Sequence, residues 1–304
     1  MTGIILNMKK TTSLRDALRL IILNYHPKPI IALHELNMYI YMLYRDRMFD
    51  GIRIGKIQAT EPDKRIMDDA LEDMVNQGIL SPIIPSFIWQ ISNKNQASAQ
   101  QIACCLTPYS HLAYLSAMEW HGITDRIPHV VHLIQAPLNT ARSLYQEHLL
   151  KDFPAISNMQ PLMIRGFTPY EKIDGKELIF HTHRNYRKKQ ELHDSGGIRV
   201  SNIGETFLDM LREPDLCGGF SHVQDVFREY AGEYLPVIVK TVDKNGKGID
   251  KARVGYLLEE VCGLTHRTIE TWKKTVQRGG SRKLIASNPY KKTYSEVWCI
   301  SINN

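Results

Sequence analysis

Between residues 61 and 91 the apolar positions change period, from a three-and-four rhythm to short continuous runs. Ile66, Ala70, Leu71, Met74 and Val75 fall on one face of a predicted helix within EPDKRIMDDALEDMVNQG. Pro62 suits the first turn, and Gly78 follows the last apolar position, where a C-terminal cap belongs. Beyond it, Ile79–Ile84 and Phe87–Ile91 read as two strands around a turn at Pro85 and Ser86. Upstream, Leu14, Leu18, Ile21 and Ile22 define a helix with Ser13 as N-cap and Pro27 as its stop. A second helical pattern begins near Ile31 and runs through Leu33, Leu36, Ile40 and Leu43. Three helices and a hairpin predict a winged helix-turn-helix DNA-binding domain over residues 1–95.

The polar run Ser92–Gln101, SNKNQASAQQ, has no apolar period and is expected to link this domain to a larger one over residues 96–304. There, SHLAYLSAMEWHG predicts a helix capped by Ser110, ended by Gly122, and buried through Leu112, Leu115, Ala117 and Met118. His129–Ile134, Leu162–Arg165, Leu178–His181 and Gly197–Val200 predict strands of a small sheet, with Thr140–Leu150 helical between the first two. Ser201–Leu211 reads as a helix capped by Ser201 or Asn202, with Glu205 in the first turn and Ile203, Phe207, Leu208 and Leu211 buried. Cys217-Gly218-Gly219 permits a tight turn before a helix over Phe220–Tyr230. The expected class is therefore α+β: a winged helix-turn-helix followed by a mixed α/β domain with a small sheet and several helices.

Composition narrows the setting. With 304 residues and 43% apolar content, the chain can bury about two cores. No stretch approaches about 20 uninterrupted apolar residues, so no membrane span is expected. The N-terminal MTGIILNMKKTTS carries its charges after its apolar run, the reverse of a secretory signal, and a cytoplasmic protein is expected. Cys104, Cys105, Cys217, Cys262 and Cys299 lack paired ligand spacing, so they read as reduced, mostly buried thiols with no zinc site.

Charge is concentrated. From His266 to Lys292 the chain carries Arg267, Lys273, Lys274, Arg278, Arg282, Lys283, Lys291 and Lys292 against Glu270 alone, a net of +7 in a chain of net +6. With Trp272, Tyr290 and Tyr294 interleaved, this segment suits nucleic-acid phosphates or an acidic protein, while a solvated face is the plainer reading. Arg184, Arg187, Lys188 and Lys189 form a second basic group. In the N-terminal domain, a recognition helix would offer Thr60, Lys64 and Arg65 to base edges, with Arg53 and Lys56 on phosphates. Against that, Glu61, Asp63, Asp68, Asp69, Glu72 and Asp73 lie on the same segment and repel a phosphate backbone.

Candidate chemistry is thin. His181 and His183, with Arg184, Arg187, Glu205 and Asp209, are the residues from which a metal-dependent nuclease would be built. Each has a simpler use, since Glu205 sits where an acid complements a helix N-terminus and His121 sits where it reaches a terminal carbonyl. GGFSHVQDVF lacks the lysine and spacing of a nucleotide loop, and no G-x-S-x-G nucleophile signature occurs. No catalytic residue, cofactor or metal ligand is assigned.

Tyr109–Pro128 (YSHLAYLSAMEWHGITDRIP), Arg199–Gly219 (RVSNIGETFLDMLREPDLCGG), ARVGYLLEEVCGL, SRKLIASNPY and VWCISIN together resemble the AbiEi-type antitoxins of bacterial type IV toxin–antitoxin systems. The resemblance covers most of Pro108–Asn303 and implies a non-enzymatic autorepressor paired with a nucleotidyltransferase-like toxin, which it opposes without needing a stable complex. It further implies double-stranded operator DNA with inverted repeats, which calls for two copies on DNA, and with no heptad run to force dimerisation the free chain is expected to be a monomer that pairs there. Two other readings stay open: a winged-helix regulator whose second domain senses a small ligand, and the nuclease above.

Overall fold

The computed structural model describes residues 11–166, 172–192, 195–276 and 282–304, which form an α+β protein. The elements begin with β1 (Thr11–Thr12), α1 (Leu14–Leu20, continued by a π-helical turn to Tyr25), β2 (Ile30–Ala32), α2 (Leu33–Asp46), β3 (Met48–Phe49) and β4 (Ile52–Ile54). Next come α3 (Lys64–Asn76), β5 (Leu80–Ile84), β6 (Ile88–Ile91), α4 (Ala99–Leu106), β7 (Ser110–Leu112), α5 (Tyr114–Trp120), β8 (Val130–Gln135), α6 (Leu138–Asp152) and β9 (Glu177–Thr182). The chain then adds α7 (Ile203–Arg212), α8 (Phe220–Asn245), α9 (Gly248–Tyr256), α10 (Arg267–Lys273), β10 (Tyr294–Ser295) and β11 (Ile300–Ser301). Among the described residues no helix is long and apolar enough to cross a membrane.

Two compact units divide the chain, and neither is continuous. The first comprises Met1–Ser110, Gln135–Pro169 and Thr182–Ile198, and the second His111–Ile134, Tyr170–His181 and Arg199–Asn304. The position expected as a domain boundary, 95/96, falls inside the first unit. The reason is hydrophobic: α6 carries Ala141, Tyr145 and Leu149 four residues apart, and they join Leu36, Ile40 and Tyr41 of α2 in one core. Phe153 meets Tyr41 edge-on at 6.2 Å, and Tyr145 meets His34 at 5.4 Å. Ser92–Gln101 is structured as well, because Gln90 Nε2 donates to Asn95 O (3.0 Å) and Ser98 with Gln101 closes a capping box that starts α4.

Within the first unit β6 lies between β2 and β5, with Ile31 opposite Trp89 and Leu80 opposite Ile91. Ile31, expected in a helix, is thus a strand residue, and α2 begins two residues later. β4 pairs parallel with β1 and antiparallel with β3. Ser13 caps α1, and Asp63 caps α3 by accepting from Ile66 N–H at 2.8 Å. The β5–β6 turn contains Ser86 at φ +66°.

In the second unit β8 lies between β7 and β9. Ser110–Leu112 is strand rather than helix start, since Leu112 exchanges backbone hydrogen bonds with Arg199 O (2.8 Å) and Ser201 N–H (2.9 Å), leaving Ala113 to precede α5. Of the remaining expected strands, 162–165 follows a 3₁₀ turn and is irregular, while Val200 makes only an isolated bridge to Leu112. Asn202 and Glu205 cap α7 reciprocally. α7 packs closely on α8 at Gly204, where a Cβ would meet Val237 O at 2.9 Å, and Phe207 packs edge-on against Phe227 at 4.9 Å. Near the C-terminus the buried Asn303 carboxamide accepts from Ile285 N–H (2.9 Å) and donates to Ile285 O (3.0 Å) and Pro289 O (3.0 Å), tying the segment at Ile285 and Pro289 to the chain just after β11. None of the five cysteines is in a disulfide, and four are buried, with Cys262 half-buried.

A half-buried ion pair, its side chains 13% and 14% exposed, anchors the start of α2. Lys28 Nζ lies 2.7 Å from Glu35 Oε1 and 3.0 Å from Glu191 Oε1, while Glu35 Oε2 accepts from Ala32 N–H at 2.9 Å. Burial disfavours both charges, yet pairing outweighs it: Glu35 is held well below the usual carboxylate range by Lys28, and Lys28 well above the usual lysine range by Glu35. Removing one partner strands the other charge. Glu35→Ala is expected to lower the unfolding free energy by about 3–5 kcal/mol in urea denaturation, and a loss under about 1 kcal/mol would mean that Lys28 finds water or another acid.

Candidate nucleic-acid interface

α3 presents its cations at its first turn because Asp63 stops the helix just before them. Lys64 and Arg65 are exposed, as are Thr60, Arg53 on β4, and Lys56, which follows β4 at φ +67°. Arg65 makes only a 3.8 Å contact with Asp69 and keeps an 88% exposed side chain. Several of the acids that would repel DNA are engaged within the protein. Glu61 accepts from Ser157 N–H (2.6 Å) and Ser157 Oγ (2.9 Å), Asp63 is the helix cap, and Asp73 accepts from Gln77 Nε2 (2.8 Å) beside Arg15 (3.5 Å). Asp68, Asp69 and Glu72 remain exposed along the helix.

Two arginines that sequence reasoning missed stand beside α3. A cleft of about 500 Å³ in the first unit is lined by Lys64 and Asp68 of α3, Asn37 of α2, Arg142 of α6 and Arg165. Arg142 is half-buried, with Nε donating to Ile164 O at 3.3 Å, and Arg165 is exposed. The Asn37 amide donates to Pro161 O at 2.8 Å, which fixes the segment that carries Arg165 against α2. The sequence predicts a helix over Thr140–Leu150 but gives no sign of which helix its buried face meets.

The basic C-terminal segment belongs to the second unit and divides in two. Lys273 is bound to Glu259 (2.7 Å) and Glu270 (2.9 Å), which raise its pKa, while Lys283 Nζ donates to Asn288 O (2.8 Å) and Lys291 Nζ to Asn304 O (2.6 Å). Arg267, Lys274 and Lys292 are exposed and form no ion pair among the described residues, and Arg282 is half-buried. Arg278 lies outside the described residues. Of the interleaved aromatics, Tyr290 and Tyr294 are exposed, whereas Trp272 is buried and donates to Asp243 at 2.9 Å. In the second basic group, Lys188 stands 5.5 Å over the Tyr109 ring, and Arg184 and Arg187 are exposed.

The residues weighed for a nuclease have other occupations. His181 Nε2 lies 3.2 Å from His132 Nδ1, and its ring meets Tyr114 edge-on at 5.0 Å. Tyr114 itself adopts φ +53° and is pushed above the usual tyrosine range by burial. The Glu205 carboxylate accepts from Asn202 N–H at 3.1 Å, and His121 Nε2 lies 2.7 Å from Ser201 O. Among the described residues no three His, Cys, Asp or Glu side chains converge as a metal site.

No protein-family model matches the sequence, and no curated protein matches it. Among solved structures the chain is similar to the RV2827C protein from Mycobacterium tuberculosis, at 10% identity and a TM-score of 0.46, over 94% of this chain and 90% of that one.

The histidine pair has a pH consequence. Burial, and next the proximity of His181, lower the His132 pKa from 6.5 to about 4. Its stabilising contribution is then full above pH 6.5 and is lost as pH falls through 4, because the unfolded chain takes up the proton first. A shift of this size corresponds to at most about 3 kcal/mol at the acid limit, reduced by the screening that solvent gives a partly exposed pair. Denaturation of the wild type and His132→Phe at neutral pH and near pH 4 should show the wild type losing more by up to that amount. Parallel losses in the two proteins would refute the assignment.

Proposed function

We propose that the protein is a DNA-binding antitoxin and transcriptional autorepressor of a type IV toxin–antitoxin operon, opposing a nucleotidyltransferase-like toxin. The observation that carries the DNA-binding part is the order helix, strand, helix, helix, hairpin from α1 to β6, with Lys64 and Arg65 exposed in the first turn of the third helix. That is the order of a winged helix-turn-helix, in which the third helix enters the major groove and the hairpin is the wing. One departure is the inserted β3–β4 pair between α2 and α3, which carries Arg53 on β4 and Lys56 on the segment of chain that leads into α3. Glu61 and Asp63 are turned toward donors of the protein itself, and of the acids on this segment Asp73 has a counter-charge in Arg15 at 3.5 Å. The antitoxin part rests on the resemblance of the segments between Pro108 and Asn303. Operator DNA of inverted repeats would recruit two copies of a monomer.

The full chain should bind DNA from upstream of its own gene more tightly than scrambled DNA of equal length, and more weakly as salt rises. Lys64→Ala and Arg65→Ala should each cost about 1–3 kcal/mol on the operator and narrow the gap to scrambled DNA, as base contacts do. Equal binding to both DNAs by the wild type would end the autorepressor reading. Rescue of cells from the neighbouring gene's product, retained by the double variant, would separate neutralisation from operator binding.

A further inference from the structure

The cleft beside α3 gathers like charges that the fold does not balance. Lys64, Arg142 and Arg165 come from three separate segments of the first unit and line one space, with Asp68 as the acid among its lining residues. None of the three cations forms an ion pair among the described residues. Converging cations repel one another, and the cost is relieved when an anion sits between them. The start of α3 adds its partial positive charge to the same place. Leu33, Met67 and Met163 supply an apolar wall, and Asn37, 4% exposed, has an Oδ1 with no hydrogen-bond partner. Cations, an apolar wall and a buried amide acceptor match the parts of a nucleotide: a phosphate, the carbons of a sugar, and a hydrogen-bond donor.

We propose that this cleft holds a nucleotide phosphate on Arg142 and Arg165, with Lys64 at its edge, and that the phosphate belongs to the DNA strand running past the start of α3. The DNA source rests on the winged-helix reading above. The phosphate chemistry does not, because a free nucleotide carries the same group. In the DNA case Arg142 and Arg165 hold backbone while Lys64 and Arg65 lie nearer the bases, so the footprint extends beyond the winged helix itself. Backbone contacts add affinity without sequence preference.

The test compares full-length wild type, Arg142→Gln/Arg165→Gln and Arg142→Lys/Arg165→Lys, after thermal melting shows that each is folded. Each is titrated with upstream and scrambled duplexes across a salt series, and separately melted with an equal mixture of the four deoxynucleoside 5′-monophosphates. The expected result is that the glutamine pair reduces the salt slope by about two and weakens both duplexes alike, while the lysine pair restores the slope and the monophosphates leave melting unchanged. Melting raised by the monophosphates in the wild type but not in the glutamine pair, with an unchanged DNA salt slope, would keep the phosphate site and overturn its DNA source. An unchanged slope together with no effect of the monophosphates would overturn the proposal while leaving operator reading by Lys64 and Arg65 intact. A wild type that binds neither duplex nor monophosphates would sink both.

Discussion

The carboxylate of Glu35 is the point on which the first unit turns. It receives the Ala32 N–H and the Lys28 ammonium, and the Cys105 thiol lies 3.8 Å away, so strand β2, helix α2 and helix α4 are set against one half-buried anion. Glu191 completes the lysine's pairing, and Gly197 passes so close that a Cβ there would lie 2.9 Å from the Lys28 stem. A buried charge tolerates little displacement of its partners, because each lost contact exposes the full desolvation penalty. The direction in which α2 leaves β2 is fixed in this way, and α2 in turn offers Asn37 and Tyr41 as the hydrogen-bonding seat of the returning segment at Pro161 and Asn158.

Elements that close on local signals were legible in the sequence. α1 and α7 carry the caps expected of them, at Ser13 and the Asn202–Glu205 box, α3 starts from Asp63, one residue after the Pro62 expected in its first turn, and the β5–β6 hairpin needs only its short turn. Ile31 and Ser110–Leu112 were misread as helical because their partners, Trp89 and the Arg199–Ser201 strand-like segment, lie far along the chain, and an apolar run does not announce its partner. The candidate site divides the same way. Lys64 and Arg65 follow from the helix start, but Arg142 and Arg165 become neighbours of Lys64 only through tertiary folding of α6. The basic C-terminal run was visible as charge, whereas the acid that neutralises part of it, Glu259, sits outside the run.

A tally of acids likewise misjudges α3. Near its N-terminal end Glu61 and Asp63 are directed to Ser157 and to the helix's own amide, and toward its C-terminal end Asp73 is directed to Gln77 and Arg15, so a count of acids alone does not describe the surface that α3 presents. The field that a ligand meets depends on where each carboxylate points and on what already donates to it. Around α3 this leaves cations clustered at the first turn and acids trailing behind, an axial gradient matched to an approach by the helix's N-terminal end.

The discontinuity of the first unit has a consequence in time. Its pieces extend to Ile198, so a chain emerging from the ribosome has made α3 and the hairpin long before it has made the residues that complete their core. The intervening stretch of about 100 residues takes roughly 5–20 s to synthesise. During that interval the face of α2 that later receives Tyr145 and Phe153 is open, and Lys28 lacks Glu191. The first unit therefore matures late, and a nascent or prematurely released chain holds α3 without its finished scaffold.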